Sequence, residues 1–355
     1  MRVVTWNLWW RFGPWQERQK AILAVLRELR PDVVGLQEVW EQEVWEQGGE
    51  HSADAADAGA DAAAGVVSAA DTANAANTTT AAGTATAAGT ATAANPADTA
   101  NRENLAGWLA GELGMHWAWG TYGDPARWQR RIGDPSVGIG NAVLSRWPVL
   151  ERDTIGLPTG EGDSGRGALY ALLDAPAAPV PFFTAHLSSA TDASAVRCRQ
   201  VTALVEFVAR HRGRGAHPPV ITGDFNAWPD SDEVRLLGGY RTAPAIPGQC
   251  FFDVWEYAEP GAPSATWDIA NPYVAGSFGP SVRVDYIHVG PPGPGGIGHV
   301  RAVRRAGDAP VDGVWPSDHM AVVADLTDGA NGANGANGAN GANGANGANG
   351  SDGVN

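Results

Sequence analysis

Short apolar runs that stop on a polar, chemistry-bearing residue recur along this chain, and they limit its fold more than any other feature does. Arg2 to Asn7 ends on an amide, Val33-Val34-Gly35-Leu36 runs into Gln37-Glu38, and Val180 to His186 ends on an imidazole. Val220-Ile221-Thr222-Gly223-Asp224 ends on a carboxylate, with Phe225-Asn226 next, and Asp318-His319 stands at the edge of the apolar run that reaches Leu326. Such runs read as strands, and polar groups at strand ends converge at one edge of a sheet, where a rigid scaffold presents a site. Taken singly, an Asp at a strand end is a turn or cap residue. Together, with histidine the only base among them, these residues are poorly explained as turns.

Helical spacing alternates with the strands. Ile22, Val25, Leu26 and Leu29 follow Pro14 and stop before Pro31, and Leu105, Trp108, Leu109 and Leu113 mark a second helix. From Gly138 to His186 the apolar runs are Asn141 to Ser145, Val149 to Leu157, Ala168 to Leu173 and Val180 to His186, separated by Pro and Gly, which predicts successive antiparallel strands. Asp192 to Arg210 predicts a helix with Asp192 as its cap, and Asp230 to Leu237 a short one capped by Asp230 or Ser231. Val282 to Val289, Val300 to Arg305 and His319 to Leu326 complete the strands. The expected class is α/β or α+β: two mixed β-sheets face to face with helices outside.

Two stretches lack the apolar content to offset the entropy of ordering. From about 47 to 100 the chain is Ala, Thr, Asn, Gly and Asp without Leu, Ile, Phe or Trp, and from Gly329 to Asn349 it repeats Gly-Ala-Asn. We expect one domain over 1–327, interrupted by that disordered insert, and a disordered tail over 328–355. Of the formal net charge of −15, eight units come from acids in these two stretches, Glu50, Asp54, Asp57, Asp61, Asp71, Asp98, Asp328 and Asp352, which leaves −7 for the rest. An acidic surface argues against broad attraction to duplex nucleic acid but leaves room for a local phosphate pocket. Lys20 is the only lysine, so that pocket would be built from arginine, which suits bidentate phosphate contacts. Cys198 and Cys250 make neither a disulfide framework nor a zinc site. The chain shows no signal-peptide pattern and no membrane-length apolar run, so a soluble cytoplasmic monomer is the expectation.

Oxygen donors select a hard cation, and Mg²⁺ takes a few carboxylates together with retained waters. Glu38 and Asp318, with Asn7 and Asp224, fit that need. His319 is placed to take a proton from water and His186 to steady or protonate a leaving oxygen, provided an acid holds each; Asp285 is the candidate to orient His319. Arg166 is either a phosphate contact or a solvated loop arginine, and of the tryptophans near these segments, Trp6 reads as packing because it alternates with Thr5 and Asn7.

Thr5-Trp6-Asn7-Leu8, Leu36-Gln37-Glu38-Val39, Asn141-Ala142-Val143-Leu144-Ser145-Arg146, Thr184-Ala185-His186-Leu187, Gly223-Asp224-Phe225-Asn226, Arg283-Val284-Asp285-Tyr286-Ile287 and Ser317-Asp318-His319 follow one another in the order seen in the endonuclease/exonuclease/phosphatase superfamily. The chain resembles that superfamily over essentially all of its core. The resemblance implies a four-layered α/β sandwich and Mg²⁺- or Mn²⁺-dependent hydrolysis of a phosphoester. It implies Asn7, Glu38 and Asp318 around the metal, Asp224 and Asn226 on the water or the phosphate oxygens, and His319 with Asp285 as general base or phosphate-polarising group. His186 would meet the phosphate or leaving group, with Asn141 and Arg166 as further phosphate contacts. Trp9 stands where abasic-site endonucleases carry Asp, and His186 where they tend to carry Tyr, so the pattern looks more like the deoxyribonuclease, sphingomyelinase and inositol-phosphatase branches. The expected activity is that of a phosphodiesterase or nuclease. A phosphatase or phospholipase C-type enzyme on inositol phosphates or sphingolipids is the alternative within the class, and a noncatalytic binding module the alternative outside it.

Overall fold

Period-two alternation decides which side chains of each strand meet which neighbour. In the computed structural model, which describes residues 1–43, 102–213, 215–277 and 279–329, this alternation sorts the central strands into two faces. The expected insert, and the repeat tail beyond residue 329, lie outside the described residues.

The elements run β1 (Arg2–Asn7), α1 (Trp15–Leu29), β2 (Val33–Glu43), β3 (Arg102–Asn104), α2 (Leu105–Leu113), β4 (His116–Thr121), α3 (Ala126–Ile132), β5 (Val137–Ser145), β6 (Val149–Leu157) and β7 (Arg166–Leu173). They continue with β8 (Val180–His186), α4 (Ser194–His211), β9 (Val220–Asp224), α5 (Asp232–Gly238), β10 (Phe252–Asp253), β11 (Asp285–Val289), β12 (Val300–Ala306) and β13 (Ala321–Leu326). One sheet has the order β12-β13-β1-β2-β5-β4, with β3 paired to β2; the other has the order β10-β11-β9-β8-β7-β6. Each sheet contains one parallel pair, β1 with β2 and β8 with β9, and each pair is joined by a crossover helix, α1 or α4.

Val3, Val33, Phe182, Val220, Ile287 and Val322 fill the seam between the sheets. Their neighbours point the other way: Val4, Trp6, Val34 and Leu36 pack under Ile22, Leu26 and Leu109 of α1 and α2, while Phe183, Ala185 and Ile221 pack under Val201, Leu204 and Val208 of α4. The result is helices, sheet, sheet, helices, the four layers expected.

Along the seam the chemistry changes in steps of two residues. Above the apolar layer comes an amide and hydroxyl layer, in which Gln37 Nε2 donates to Thr184 Oγ1 at 2.7 Å and to Thr5 Oγ1 at 3.2 Å. Gly35 belongs to it because a Cβ there would lie 2.2 Å from Thr222 Oγ1. Two residues further on, Thr5, Thr184 and Thr222 give way to Asn7, His186 and Asp224. Gly223 lets β9 reach that point: its φ is +153°, and a Cβ would sit 2.1 Å from the Ala185 carbonyl oxygen. Gly223→Ala is therefore expected to destabilise the fold by about 3 kcal/mol or more, measured as a shift of the urea midpoint; a loss below about 1 kcal/mol would show that the two strands yield there.

Several local expectations need correction. Asp192 does not cap α4: the N-cap is Ala193, with no side-chain cap bond, and Ser231 sits at the N-cap of α5 without one. Pro14 lies at the N-cap of α1, just ahead of the first turn. Arg166 opens β7 and is buried, so it is not a solvated loop residue. The strands predicted from Val282 and from His319 start late, at Asp285 and Ala321, because Val282 and His319 bridge to Trp267 instead. β4, α3 and the two-residue β10 were not anticipated.

Candidate active site

Register brings the sequence-distant residues together. Asn7 lies beside Gln37, His186 beside Asp224, and Asp224 beside Asp285. Glu38 would face the helices if β2 kept strict alternation. Between Leu36 and Val39 the pairing with β5 slips by one residue, and Glu38 takes a φ of 54°, so this bulge turns its carboxylate back toward the seam. Its Oε1 then lies 4.0 Å from His186 Nε2.

Asp224 is the hub. Its Oδ2 accepts from Asn7 Nδ2 at 2.9 Å and lies 3.4 Å from His186 Nε2 and 3.8 Å from His319 Nε2, while its Oδ1 accepts from the Asn226 backbone N–H at 2.9 Å. Asn226, with a φ of 48°, sends its Nδ2 to the Leu187 carbonyl at 3.1 Å, so it braces the loop after His186. Asn7 Oδ1 accepts from the Trp9 backbone N–H. His319 Nδ1 pairs with Asp285 Oδ2 at 2.9 Å, as expected from the sequence. Ser317 Oγ donates to the Asn7 carbonyl at 2.6 Å, which places Asp318 beside the end of β1.

Among the described residues, no acid holds the far side of His186. The Tyr122 hydroxyl meets its Nδ1 at 2.8 Å, and the two rings stand edge to face. Tyr122 was missed from the sequence, since nothing in Gly120-Thr121-Tyr122-Gly123 distinguishes it from a rim aromatic. Trp6, read as packing, is buried and donates from Nε1 to the His319 carbonyl.

Burial and like charge act together on the acids. Burial pushes the Asp318 carboxyl up to about 7, with Glu38 adding to the rise and His319 opposing it. Asp224 is pushed up to about 6, again by burial first and then by Asp285, against the pull of His319. Glu38 is raised by burial, against Arg166 and His319. Burial disfavours the imidazolium of His319, but Asp285, Asp224 and Asp318 outweigh it and raise that pKa well above the ordinary value. His186 goes the other way, held neutral by burial and by Arg166 and His319. The two histidines are thus driven in opposite directions, His319 toward the cation and His186 toward the neutral ring, set apart by which neighbours each one faces.

The residues present fit a divalent cation. Glu38, Asp224 and Asp318 offer only hard oxygen donors, and burial raises the pKa of each, a penalty on their ionised forms that a bound cation would offset. A tighter set of donor atoms, Asp224, Asp285 and His319, lies within 4.8 Å of one another. Since Asp285 and His319 are already bonded to each other, that set is better described as a proton-holding pair against Asp224 than as a ligand cage. Among the described residues, several buried polar atoms around the pocket lack a partner: Asn141 Oδ1, Arg166 Nε and Nη1, and Asp285 Oδ1. Asn141 Nδ2 is committed to the Gly167 carbonyl and Arg166 Nη2 to Ser189 Oγ. Buried polar atoms left open in this way call for an ion, water or ligand.

The sequence profile described as the Endonuclease/Exonuclease/phosphatase family matches residues 4–319. No curated protein sequence matches the chain. Among solved structures, D. rerio TDP2 complexed with single strand DNA product is similar with a TM-score of 0.57 at 18% identity, covering 92% of this chain and 98% of that one. The endonuclease/exonuclease/phosphatase from Bacteroides vulgatus gives 0.54 at 16% identity, with 92% and 98% covered. The corresponding protein from Beutenbergia cavernae DSM 12333 gives 0.54 at 22%, with 92% and 71% covered. At these identities the likeness bears on the fold.

Proposed function

Because the chain belongs to the endonuclease/exonuclease/phosphatase family, we propose that it hydrolyses phosphodiesters with a divalent cation, Mg²⁺ or Mn²⁺, held by Glu38 and Asp318 with Asn7 alongside. The observation that carries this reading is the meeting of Glu38 from the bulge in β2, His186 and Asp224 from the ends of β8 and β9, and His319 from the segment just before β13 around one acidic site. When bound, the cation would neutralise phosphate charge and lower the pKa of a water.

The chain's own residues supply the rest. Asp224, oriented by Asn7 and by the Asn226 N–H, offers its Oδ2 to accept a water proton and point that water along the line of attack. Arg166 has Nε and Nη1 open to bind phosphate oxygens, and Asn141 stands across from the Glu38 bulge to help fix the phosphate's orientation. His319, kept charged by Asp285, polarises the phosphoryl group and stabilises the charge that grows on its oxygens. His186, neutral and held by Tyr122, sits on the opposite side of Asp224 and steadies the leaving oxygen. No covalent intermediate is needed.

The similarity to D. rerio TDP2, whose structure holds a single-strand DNA product, favours a nucleic-acid strand as the substrate here too. The acidic balance of the core speaks for a substrate that engages a local pocket and not a long duplex. A panel of bis(p-nitrophenyl) phosphate, single-stranded oligonucleotide, plasmid DNA, an inositol polyphosphate and sphingomyelin vesicles, each with Mg²⁺, Mn²⁺ or EDTA, tests the proposal. We expect metal-dependent turnover of the generic diester and the single strand. Turnover confined to the inositol or lipid substrate would reassign the substrate class, and no metal-dependent turnover of any of them would leave a noncatalytic fold.

A further inference from the structure

The two crossover units, β1-α1-β2 and β8-α4-β9, carry the same unadvertised device. Arg18 is the fourth residue of α1 and Arg197 the fourth residue of α4; each falls eleven positions after the residue that closes the preceding strand, Asn7 and His186. Both are buried, at 1% and 4% exposure, which is rare for arginine, and neither touches the site's carboxylates through its guanidinium.

Arg18 spends all five of its N–H donors on main-chain carbonyls. Nε donates to Phe12, Nη1 to Leu8 at 2.8 Å and to Pro316 at 2.9 Å, and Nη2 to Trp9 and Trp10 at 3.0 Å each. Trp9 and Trp10 have φ values of 56° and 41°, a conformation that bulky residues adopt only when the surroundings impose it. The turn so held presents the Trp9 N–H to Asn7 Oδ1, and the bond to Pro316 fixes the segment that leads into Ser317, Asp318 and His319.

Arg197 does the equivalent in the other sheet. Nη1 donates to the carbonyls of Ser188 at 3.1 Å and Ala190 at 2.7 Å, and Nε is anchored on Glu233 Oε1 of α5 at 2.5 Å. Between those two carbonyls lies Ser189, whose hydroxyl holds Arg166 Nη2, so the clamp reaches the phosphate arginine through one residue. Lysine can reproduce the charge at either position but not a planar fork of several directed donors.

We propose that Arg18 and Arg197 are paired positioning residues for the reaction inferred above, each fixing the main chain just past one strand-end residue, so that Asn7, Asp318 and His319 on the side of one sheet stay in register with His186 and Arg166 of the other. Their contribution is geometric. A displacement of about 1 Å among groups that must act together costs on the order of 10²-fold in rate.

The test compares Arg18→Lys, Arg197→Lys and Leu204→Ala in the full chain, the last a core truncation on α4, two turns beyond Arg197, that lowers stability while removing none of the hydrogen bonds that hold either loop. Each is measured for kcat and KM on bis(p-nitrophenyl) phosphate, for Tm, and for amide exchange over residues 8–12 and 187–190. Each lysine variant is expected to melt cooperatively, to lose on the order of 10²-fold in kcat with KM changed less than about threefold, and to lose exchange protection in its own loop only. Leu204→Ala should lower Tm at least as much and keep its kcat. Lysine variants with unaltered kcat and unaltered loop protection would overturn the proposal, as would a fall in kcat that follows Tm equally in all three. If the wild-type protein turns over no phosphoester, the hydrolase reading fails, and the loop-exchange comparison alone decides whether the clamps exist.

Discussion

His319→Ala retains the fold and loses on the order of 10³-fold in kcat on any phosphodiester the wild type cleaves. His319 is fixed at four points: its ring by Asp285 at Nδ1 and by the edge-to-face ring of Trp267 with centroids 5.0 Å apart, and its main chain by the N–H donated to Ser317 Oγ and the carbonyl that accepts from Trp6 Nε1. A group so constrained, and kept charged among three acids, is preorganised for the charge that appears on the phosphoryl oxygens during reaction. Asp285→Asn removes the partner that adds most to that charge and should cost less, on the order of 10-fold to 10²-fold, while moving the basic limb of the pH–rate profile downward. Steady-state kinetics with a thermal melt of each variant check this. If His319→Ala keeps its rate within about threefold, the residue is structural.

Much of this arrangement was readable before any coordinates. β8 and β9 have the bounds their apolar runs suggested, because strands buried on both faces read as nearly continuous runs broken only by Pro and Gly, and the edge strand β6 and the helix α2 match their expected bounds as well. Asn7, His186 and Asp224 stood out for the same reason: each ends such a run, and period-two alternation then puts each on the seam two residues beyond Thr5, Thr184 or Thr222. What was hidden depended on geometry that no local pattern encodes. The inward turn of Glu38 comes from a bulge opposite Asn141, and a strand with a bulge has the same composition as one without. Tyr122 and Arg18 join the site through partners 64 and up to 298 residues away in the chain, at positions where an exposed aromatic or a helix-surface arginine would read the same. The failed Asp192 cap illustrates the converse: a favourable cap residue stood one place too early, and Arg197 fixes the start of α4 through the Ala190 carbonyl instead.

Glu38→Gln should abolish the effect of divalent metal on both stability and rate. In the wild type, Asp318 and Asp224 have pKa values raised to about 7 and about 6, and Glu38 is raised too, so the metal-free folded protein binds protons at this cluster more tightly than the unfolded chain does. For the acids, the penalty for folding is absent below their unfolded pKa and complete once pH has risen through the folded values. His319, also raised, stabilises fully below its unfolded pKa and loses that contribution as pH climbs through the folded one, so all four groups have the same sign. Metal-free protein should therefore lose stability as the pH rises from about 4 to about 7 and beyond, whereas a bound cation rewards ionised carboxylates and reverses the slope. At a metal concentration about 100 times Kd the gain is about 2.7 kcal/mol, or roughly 5–10 °C in Tm for a domain of this size. Proton release on metal binding, read by calorimetry in buffers of different ionisation enthalpy, is the companion signature. The glutamine variant keeps the shape of Glu38 and removes one of the repelling charges, so its metal-free Tm at pH 8 should rise while its metal-induced shift and its rate, by on the order of 10²-fold or more, disappear. A glutamine variant that still gains stability from Mg²⁺ or Mn²⁺ to the wild-type extent would place the cation away from β2, among Asp224, Asp285 and His319 instead.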